Sequence, residues 1–229
     1  MVGVPVALVV TILTALATTI GTTVGPAAWW SHYPGCVWSK VMVRLMLLPI
    51  EVKGRENMQE GQSYVIVPNH QGAYDIFMIY GYLGRPFKWM MKESLRHIPL
   101  VGYACEKAGF IFVDRTGIHK IQHTYEQARR VLRDGVSVVI FPEGHRTPDG
   151  DIHKFQRGAF QLACELGLPL LPVTIDGSYR LLPRKKGLWF LTWTPLKMTI
   201  HQPIQPINTG VEYERDLMEQ TRQSIESAL

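Results

Sequence analysis

Apolar positions recur along this chain in distinct rhythms. Val4 to Val24 is apolar apart from threonines, long enough to cross or deeply enter a bilayer. No Asp, Glu, Lys or Arg occurs before Lys40. The aromatics Trp29, Trp30, Tyr33 and Trp38 follow, a grouping typical of the membrane–water interface. In Cys36–Leu48 the apolar positions Val37, Val41, Leu45 and Leu48 recur at helical spacing, with Lys40 and Arg44 on another face. That pattern predicts a helix lying in the interface with its cationic stems reaching to water. After Pro49, strand-like and helix-like runs alternate. Strands are expected at Tyr64–Val67, Phe87–Met91, Phe110–Val113, Val136–Phe141 and Leu170–Ile175, with Lys197–His201 an edge-strand candidate. Helices are expected at Tyr74–Leu83, Leu100–Lys107, His119–Arg133, Ala159–Leu166 and Tyr213–Ala228. Gly135 and Gly167 act as stop signals after two of them.

This alternation predicts an α/β sandwich around a largely parallel or mixed sheet, with an N-terminal membrane-associated helical hairpin. The expected organisation is residues 1–48 as membrane-associated helices and residues 49–229 as the α/β domain. Basic residues on the C-terminal side of the apolar run place that domain on the cytoplasmic face. The lack of a positive segment before the run argues against a cleaved signal.

Composition narrows the choices. The 229 residues are 46% hydrophobic, enough for one sizeable core. A net charge of +5 suits anionic lipid or phosphorylated substrates; without a Lys/Arg run, nucleic acid is the weaker partner. Cys36, Cys105 and Cys164 are scattered and odd in number, which reads as reduced thiols. No metal-binding pattern of the HExxH or Cys/His kind is present, so no metal is expected.

Chemistry concentrates in short blocks. In Asn69-His70-Gln71-Gly72-Ala73-Tyr74-Asp75 an imidazole and a carboxylate stand five residues apart. On one helix they would point about 140° apart, so the pair needs a turn between its members. A strand ending near Val67, a loop through Gly72 and a helix starting near Ala73 supply it. A carboxylate on one imidazole nitrogen fixes the tautomer and leaves the other as a base. A solvated loop or a helix cap is the plainer account of the same spacing. The blocks around Arg115, in Gly109–Arg115, and around Glu143, Gly144 and Arg146, in Phe141–Thr147, also close strands. There Arg115 and Arg146 can meet a phosphate, Glu143 a hydroxyl, and Gly144 permits close backbone approach. Alone, each reads as a surface turn. Lys154–Gly158 leads into a helix whose amides could attract an anion. Leu168–Val173 is a proline-flanked buried strand, read as scaffold and acyl-pocket wall. Arg184–Lys186 beside Trp189, Phe190 and Trp193 reads either as a second bilayer contact or as core rings with a solvated turn.

Four of these blocks, Asn-His-x4-Asp, the segment ending in Arg115, Phe-Pro-Glu-Gly-x-Arg and the proline-containing strand, resemble the glycerolipid acyltransferase family. The similarity is greatest to the 1-acyl-sn-glycerol-3-phosphate (lysophosphatidic acid) acyltransferases, and it covers roughly Tyr64 to Ile175. A Ser common two residues after the His is Gly72 here, and the Thr common after Phe-Pro-Glu-Gly is His145. The resemblance implies acyl transfer from acyl-CoA or acyl carrier protein to lysophosphatidic acid, giving phosphatidic acid without a cofactor. His70 would be the general base and Asp75 its orienting partner. Arg115, Glu143, Gly144 and Arg146 would hold the glycerol phosphate, with Lys92 a further candidate cation. Rival readings are acylation of another lysolipid, phospholipid remodelling, and a non-catalytic membrane lipid-binding protein.

Overall fold

The first helix is inside out by the standard of a soluble protein. In the computed structural model, which describes residues 3–114, 118–132, 135–183 and 191–229, α1 (Gly3–Val24) turns Ala15, Thr18 and Gly21 inward. Its large side chains Leu8, Leu13, Leu16 and Ile20 face outward. Its threonines Thr11, Thr14 and Thr22 donate to the carbonyl one turn back, which hides their hydroxyls. Small residues inward and large apolar residues outward suit a helix whose outer solvent is lipid.

Next come α2 (Ala27–Trp30) and α3 (Tyr33–Arg44), which fold back along α1. Trp38 Nε1 donates to Thr11 Oγ1 at 2.9 Å, and the Trp30 ring fills the space where Gly21 lacks a Cβ. The chain continues through β1 (Ile50–Lys53), β2 (Val65–Pro68), α4 (Tyr74–Tyr82) and β3 (Phe87–Lys92). A 3-10 turn at Glu93–His97 leads to α5 (Val101–Lys107), β4 (Ile111–Val113), α6 (Ile118–Val131) and β5 (Ser137–Val139). Then follow α7 (Gly158–Leu166), β6 (Leu170–Asp176), α8 (Ser178–Leu181), β7 (Leu196–Ile200) and α9 (Val211–Glu226).

The strands form one seven-stranded sheet in the order β1-β7-β6-β2-β5-β3-β4. Five neighbouring strands, β6 through β4, run parallel; β7 pairs antiparallel with β6 and carries β1 parallel beside it. The expected α/β sandwich on a largely parallel, mixed sheet is therefore what forms. The strand pleat sends alternate residues to opposite faces. Tyr64 and Ile66 join a core with Val43, Leu48, Met78, Ile79, Val173 and Leu196, on the α3–α4 side. Val65 and Val67 join Ala128, Phe160, Leu162, Leu217 and Ile225, on the side of α6, α7 and α9.

The element spans follow the periodicity closely. Gly167, at φ 62°, ends α7 as the stop signal predicts. Two differences concern the sheet margin. The Lys197–His201 segment was expected at an edge, but β7 lies between β6 and β1. The edge is β1, whose charged positions Glu51 and Lys53 point outward and left too short an apolar signal to stand out. The close approach of α3 to α4 rests on small residues: a Cβ on Gly35 would strike the Tyr80 ring, and one on Gly81 would lie 3.2 Å from Ser39 Cβ.

Candidate active site

Strand β2 ends at Pro68, and α4 starts at Tyr74. The loop between them carries His70, and the first turn of α4 carries Asp75, so the turn that the five-residue spacing requires is present. His70 Nδ1 and Asp75 Oδ2 lie 2.8 Å apart, and the same oxygen accepts the Gly72 N–H at 2.7 Å. Asp75 is fully buried. A carboxylate on Nδ1 places the ring proton there and leaves Nε2 with a free lone pair. The imidazole stacks on Phe141, centroids 3.8 Å apart with an interplanar angle of 14°, and Phe141 stacks in turn on Trp89 at 5.7 Å. One ring nitrogen is thus pinned and one ring face covered, which holds the imidazole in a single rotamer.

The loop after β5 braces the backbone of this turn. Glu143 Oε1 accepts the His70 N–H at 2.7 Å and Oε2 accepts the His153 N–H at 3.0 Å. Thr147 N–H donates to the His70 carbonyl at 2.9 Å. Burial pushes the Glu143 carboxyl above its ordinary pKa, while the two N–H donors pull the other way. Gly144 sits at φ 76°, a conformation that favours glycine, and its N–H closes a turn onto the Phe141 carbonyl at 3.1 Å. On the other side Asn69, also fully buried, exchanges bonds with the end of β6: Nδ2 donates to Ile175 O at 2.9 Å and Oδ1 accepts Ile175 N–H at 2.7 Å. The ends of three neighbouring strands, β6, β2 and β5, are therefore tied together around Asn69 and His70.

A cavity of about 670 Å³ opens beside His70 at this end of the sheet. Lys92, Gly144, Arg146 and Arg157 line it together with His70. Its remaining wall is largely apolar, with Trp89, Met91, Val113 and Phe141 among the contributors. A cationic mouth over an apolar wall next to a positioned imidazole can take an anionic amphiphile.

His70 and Asp75 meet, and Lys92, Gly144 and Arg146 share the cavity that His70 lines. Glu143 does not line it: the carboxylate expected to meet a substrate hydroxyl is buried and spent on two backbone N–H groups. The Leu168–Val173 segment does not wall this cavity either, because β2 separates β6 from β5. Arg115 lies outside the described residues, as does Arg184–Phe190. Of that last segment's neighbours, Trp193 is exposed and its Nε1 donates to Leu47 O at 3.3 Å. Arg157, which the sequence reading placed only in an anion-attracting segment, reaches the cavity rim while its guanidinium bonds Glu214 Oε2 at 2.6 and 3.0 Å. The stacking of Phe141 on His70 has no sequence signal.

Comparison with known proteins places this arrangement. A chloroplastic 1-acyl-sn-glycerol-3-phosphate acyltransferase of Arabidopsis thaliana is 29% identical over 175 residues, 76% of this chain and 48% of the relative. The enzyme of that name from Borreliella burgdorferi is 30% identical over 177 residues, 77% of this chain and 70% of the relative. The human 1-acyl-sn-glycerol-3-phosphate acyltransferase alpha is 36% identical over 149 residues, 61% of this chain and 52% of the relative. This chain spans about half the length of the plant and algal relatives it matches. The crystal structure of the 1-acyl-sn-glycerophosphate acyltransferase PlsC from Thermotoga maritima shares the fold, with a TM-score of 0.73 at 24% identity over 99% of this chain and 95% of that one. A family model described as Acyltransferase matches residues 49–176, from the start of the sheet through β6 and so across every strand end that frames His70; the chain belongs to the acyltransferase family.

Proposed function

We propose that this protein transfers an acyl chain from an acyl thioester to the sn-2 hydroxyl of 1-acyl-glycerol-3-phosphate at a membrane surface, giving phosphatidic acid. The observation that carries the reading is the His70–Asp75 pair at 2.8 Å, buried on the Asp75 side and open to a cation-rimmed cavity on the His70 side. Names shared by relatives at 28–36% identity support the acceptor.

His70 Nε2 takes the proton from the acceptor hydroxyl as its oxygen attacks the thioester carbonyl carbon. The carbonyl re-forms, the carbon–sulfur bond breaks, and the imidazolium returns the proton to the leaving thiolate. One ester and one thiol result, and no acyl-enzyme forms. Asp75 holds Nδ1–H and stabilises the imidazolium; Phe141 keeps the ring from turning. A positioned base of this kind is worth about 10²–10⁴ in rate. Lys92 and Arg146, with Arg115, attract the acceptor phosphate through charge-assisted bonds. Glu143 acts on His70 through the backbone as a positioning residue. Membrane attachment is through α1, whose outward face is large and apolar. The basic residues after α1 favour the cytoplasmic side.

The test uses the full chain with lysophosphatidic acid in vesicles and, separately, acyl-CoA or acyl carrier protein as donor. We expect phosphatidic acid and free thiol in equal amounts with one of the two donors. His70→Ala should lower kcat by about 10²–10⁴, with an unchanged melting temperature. Thiol release without phosphatidic acid, or wild-type turnover by His70→Ala, overturns the reading; acylation of a different lysolipid instead reassigns the acceptor.

A further inference from the structure

Between β3 and α5 the chain makes a short tongue that is braced by ion pairs and exposed along most of its length. Arg96 is held by Glu93 at 2.6 Å and by Glu106 at 2.7 Å, and its guanidinium lies 4.4 Å from the Phe112 ring centroid. The turn closes so tightly that a Cβ on Gly102 would strike the Arg96 carbonyl. Leu95 (40% exposed), Ile98 (42%), Leu100 (50%) and Tyr103 (52%) nonetheless face outward. A braced segment that leaves four large apolar side chains uncovered is not a loop adjusting to water.

The backbone sharpens the point. Leu100 has φ 61° and ψ −49°, and the Val101 N–H donates to the Pro99 carbonyl at 2.7 Å. This is the positive-φ form of the γ-turn, the rare and strained one of the two mirror forms. Glycine would occupy it without strain, yet the residue there is an exposed leucine. Strain of this kind persists where the surrounding structure enforces it, and it clusters at functional positions.

Location supplies the occupant. Helix α5, which carries the exposed Tyr103 and starts just after the exposed Leu100, packs on the membrane helix α1. On the other side Leu95 and Lys92 line the cavity that holds His70. Lys107 Nζ stands 5.4 Å from the Tyr103 ring, the pairing of aromatic and cation common at headgroup depth. Across residues 92–107, Lys92, Arg96 and Lys107 face only Glu93 and Glu106, so the tongue is net positive.

We propose that the Leu95–Tyr103 tongue inserts into the bilayer beside α1 and seats the cavity mouth in an anionic lipid surface. A lysolipid then passes from the leaflet along Leu95 to His70 without crossing bulk water. The inference rests on the lysolipid reading above.

Two measurements on the full chain test it. First, an environment-sensitive fluorophore is attached at Leu100→Cys, with Leu13→Cys as a membrane reference and Glu60→Cys, before the opposite end of β2, as an exposed control. Burial pushes the native Cys36 and Cys105 thiols up to about 11, so they label slowly at neutral pH. In phosphatidylcholine–phosphatidylglycerol vesicles carrying nitroxide lipids, the Leu100 and Leu13 labels should be quenched and the Glu60 label should not. Second, Ile98→Gln with Leu100→Gln should raise KM for long-chain lysophosphatidic acid in vesicles about tenfold. The same double variant should leave kcat/KM for a short-chain, water-soluble acceptor within about twofold. Leu100→Gly relieves the turn, so it should melt at the same or a higher temperature and still raise the vesicle KM. An unquenched Leu100 label beside a quenched Leu13 label overturns the proposal and leaves the lysolipid reading standing. Equal loss on both acceptors, or a solution dimer that the double variant dissociates, also overturns it. No quenching at Leu13, together with no acyl transfer, removes both.

Discussion

The smallest side chain in the dyad loop sets its geometry. Gly72 gives its N–H to Asp75 Oδ2 at 2.7 Å, and a Cβ there would strike the Ser178 hydroxyl and approach the Ser178 carbonyl to 2.8 Å. The β6–α8 turn therefore occupies the room that a side chain at position 72 would need. Gly72→Ser should cost roughly 1–3 kcal/mol through overpacking. It should also lower kcat more than it changes KM, because the Asp75 contact shifts. Ser178→Gly in the same chain should recover part of both losses, although the Ser178 backbone stays in place. Thermal melts and steady-state kinetics of the single and double variants check this; a Gly72→Ser protein with wild-type stability and turnover would show that the turn yields freely. The same dependence on the fold governs Glu143. A glutamate in a polar, glycine-containing turn looks available for a hydroxyl, and only the fold brings two unpaired N–H groups to its oxygens.

At the scale of elements, the joint between the hairpin and the sheet domain carries a titratable group. His32, at the junction of α2 and α3, is buried beside Tyr80 and Phe87, with Nε2 3.1 Å from Cys36 Sγ. Burial first, and the nearby Lys88 second, lower its pKa from 6.5 to about 4. Lys88, itself lowered to about 8 by burial, donates to Ser31 Oγ at 2.8 Å and Ala108 O at 2.7 Å across the same joint. The sign follows from proton uptake. Between pH 6.5 and about 4 the unfolded chain binds a proton at this imidazole and the folded chain does not, so stability falls as pH falls. The loss approaches roughly 3 kcal/mol below the window. His32→Phe removes that titration, so its stability should decline less than the wild type's on going from pH 7.5 to pH 4.5. Denaturant melts across the range measure the difference; parallel curves would exclude His32 as the source.

For the whole molecule, the expected boundary at residue 48 cuts through a core. Val43 and Leu48 are buried in the cluster that contains Tyr64, Ile66 and Met78, and Gly35 lies against Tyr80. Helix α1, in contrast, buries Ala15, Thr18 and Gly21 and little else of size. Removing residues 1–25 should leave a cooperatively folding domain with reduced vesicle affinity, whereas removing residues 1–48 should expose the α4 face and give aggregates. Light scattering and thermal melts distinguish the two; a soluble, cooperatively melting 49–229 fragment would show that α3 belongs to the anchor alone.

The sequence by itself determined the alternating helices and strands, the apolar N-terminal helix and the His70–Asp75 pair. Periodicity, helix stops and a five-residue spacing are local, and local physics suffices to read them. The order of the strands, with β7 inside rather than at the edge, was decided by pairing between segments far apart in sequence. Tertiary structure alone also turned Glu143 toward backbone, set Phe141 against His70 and gathered Lys92, Arg146 and Arg157 around one cavity. Whether a polar side chain meets substrate or structure depends on which unpaired groups the fold brings within about 3 Å, and sequence spacing does not contain that distance.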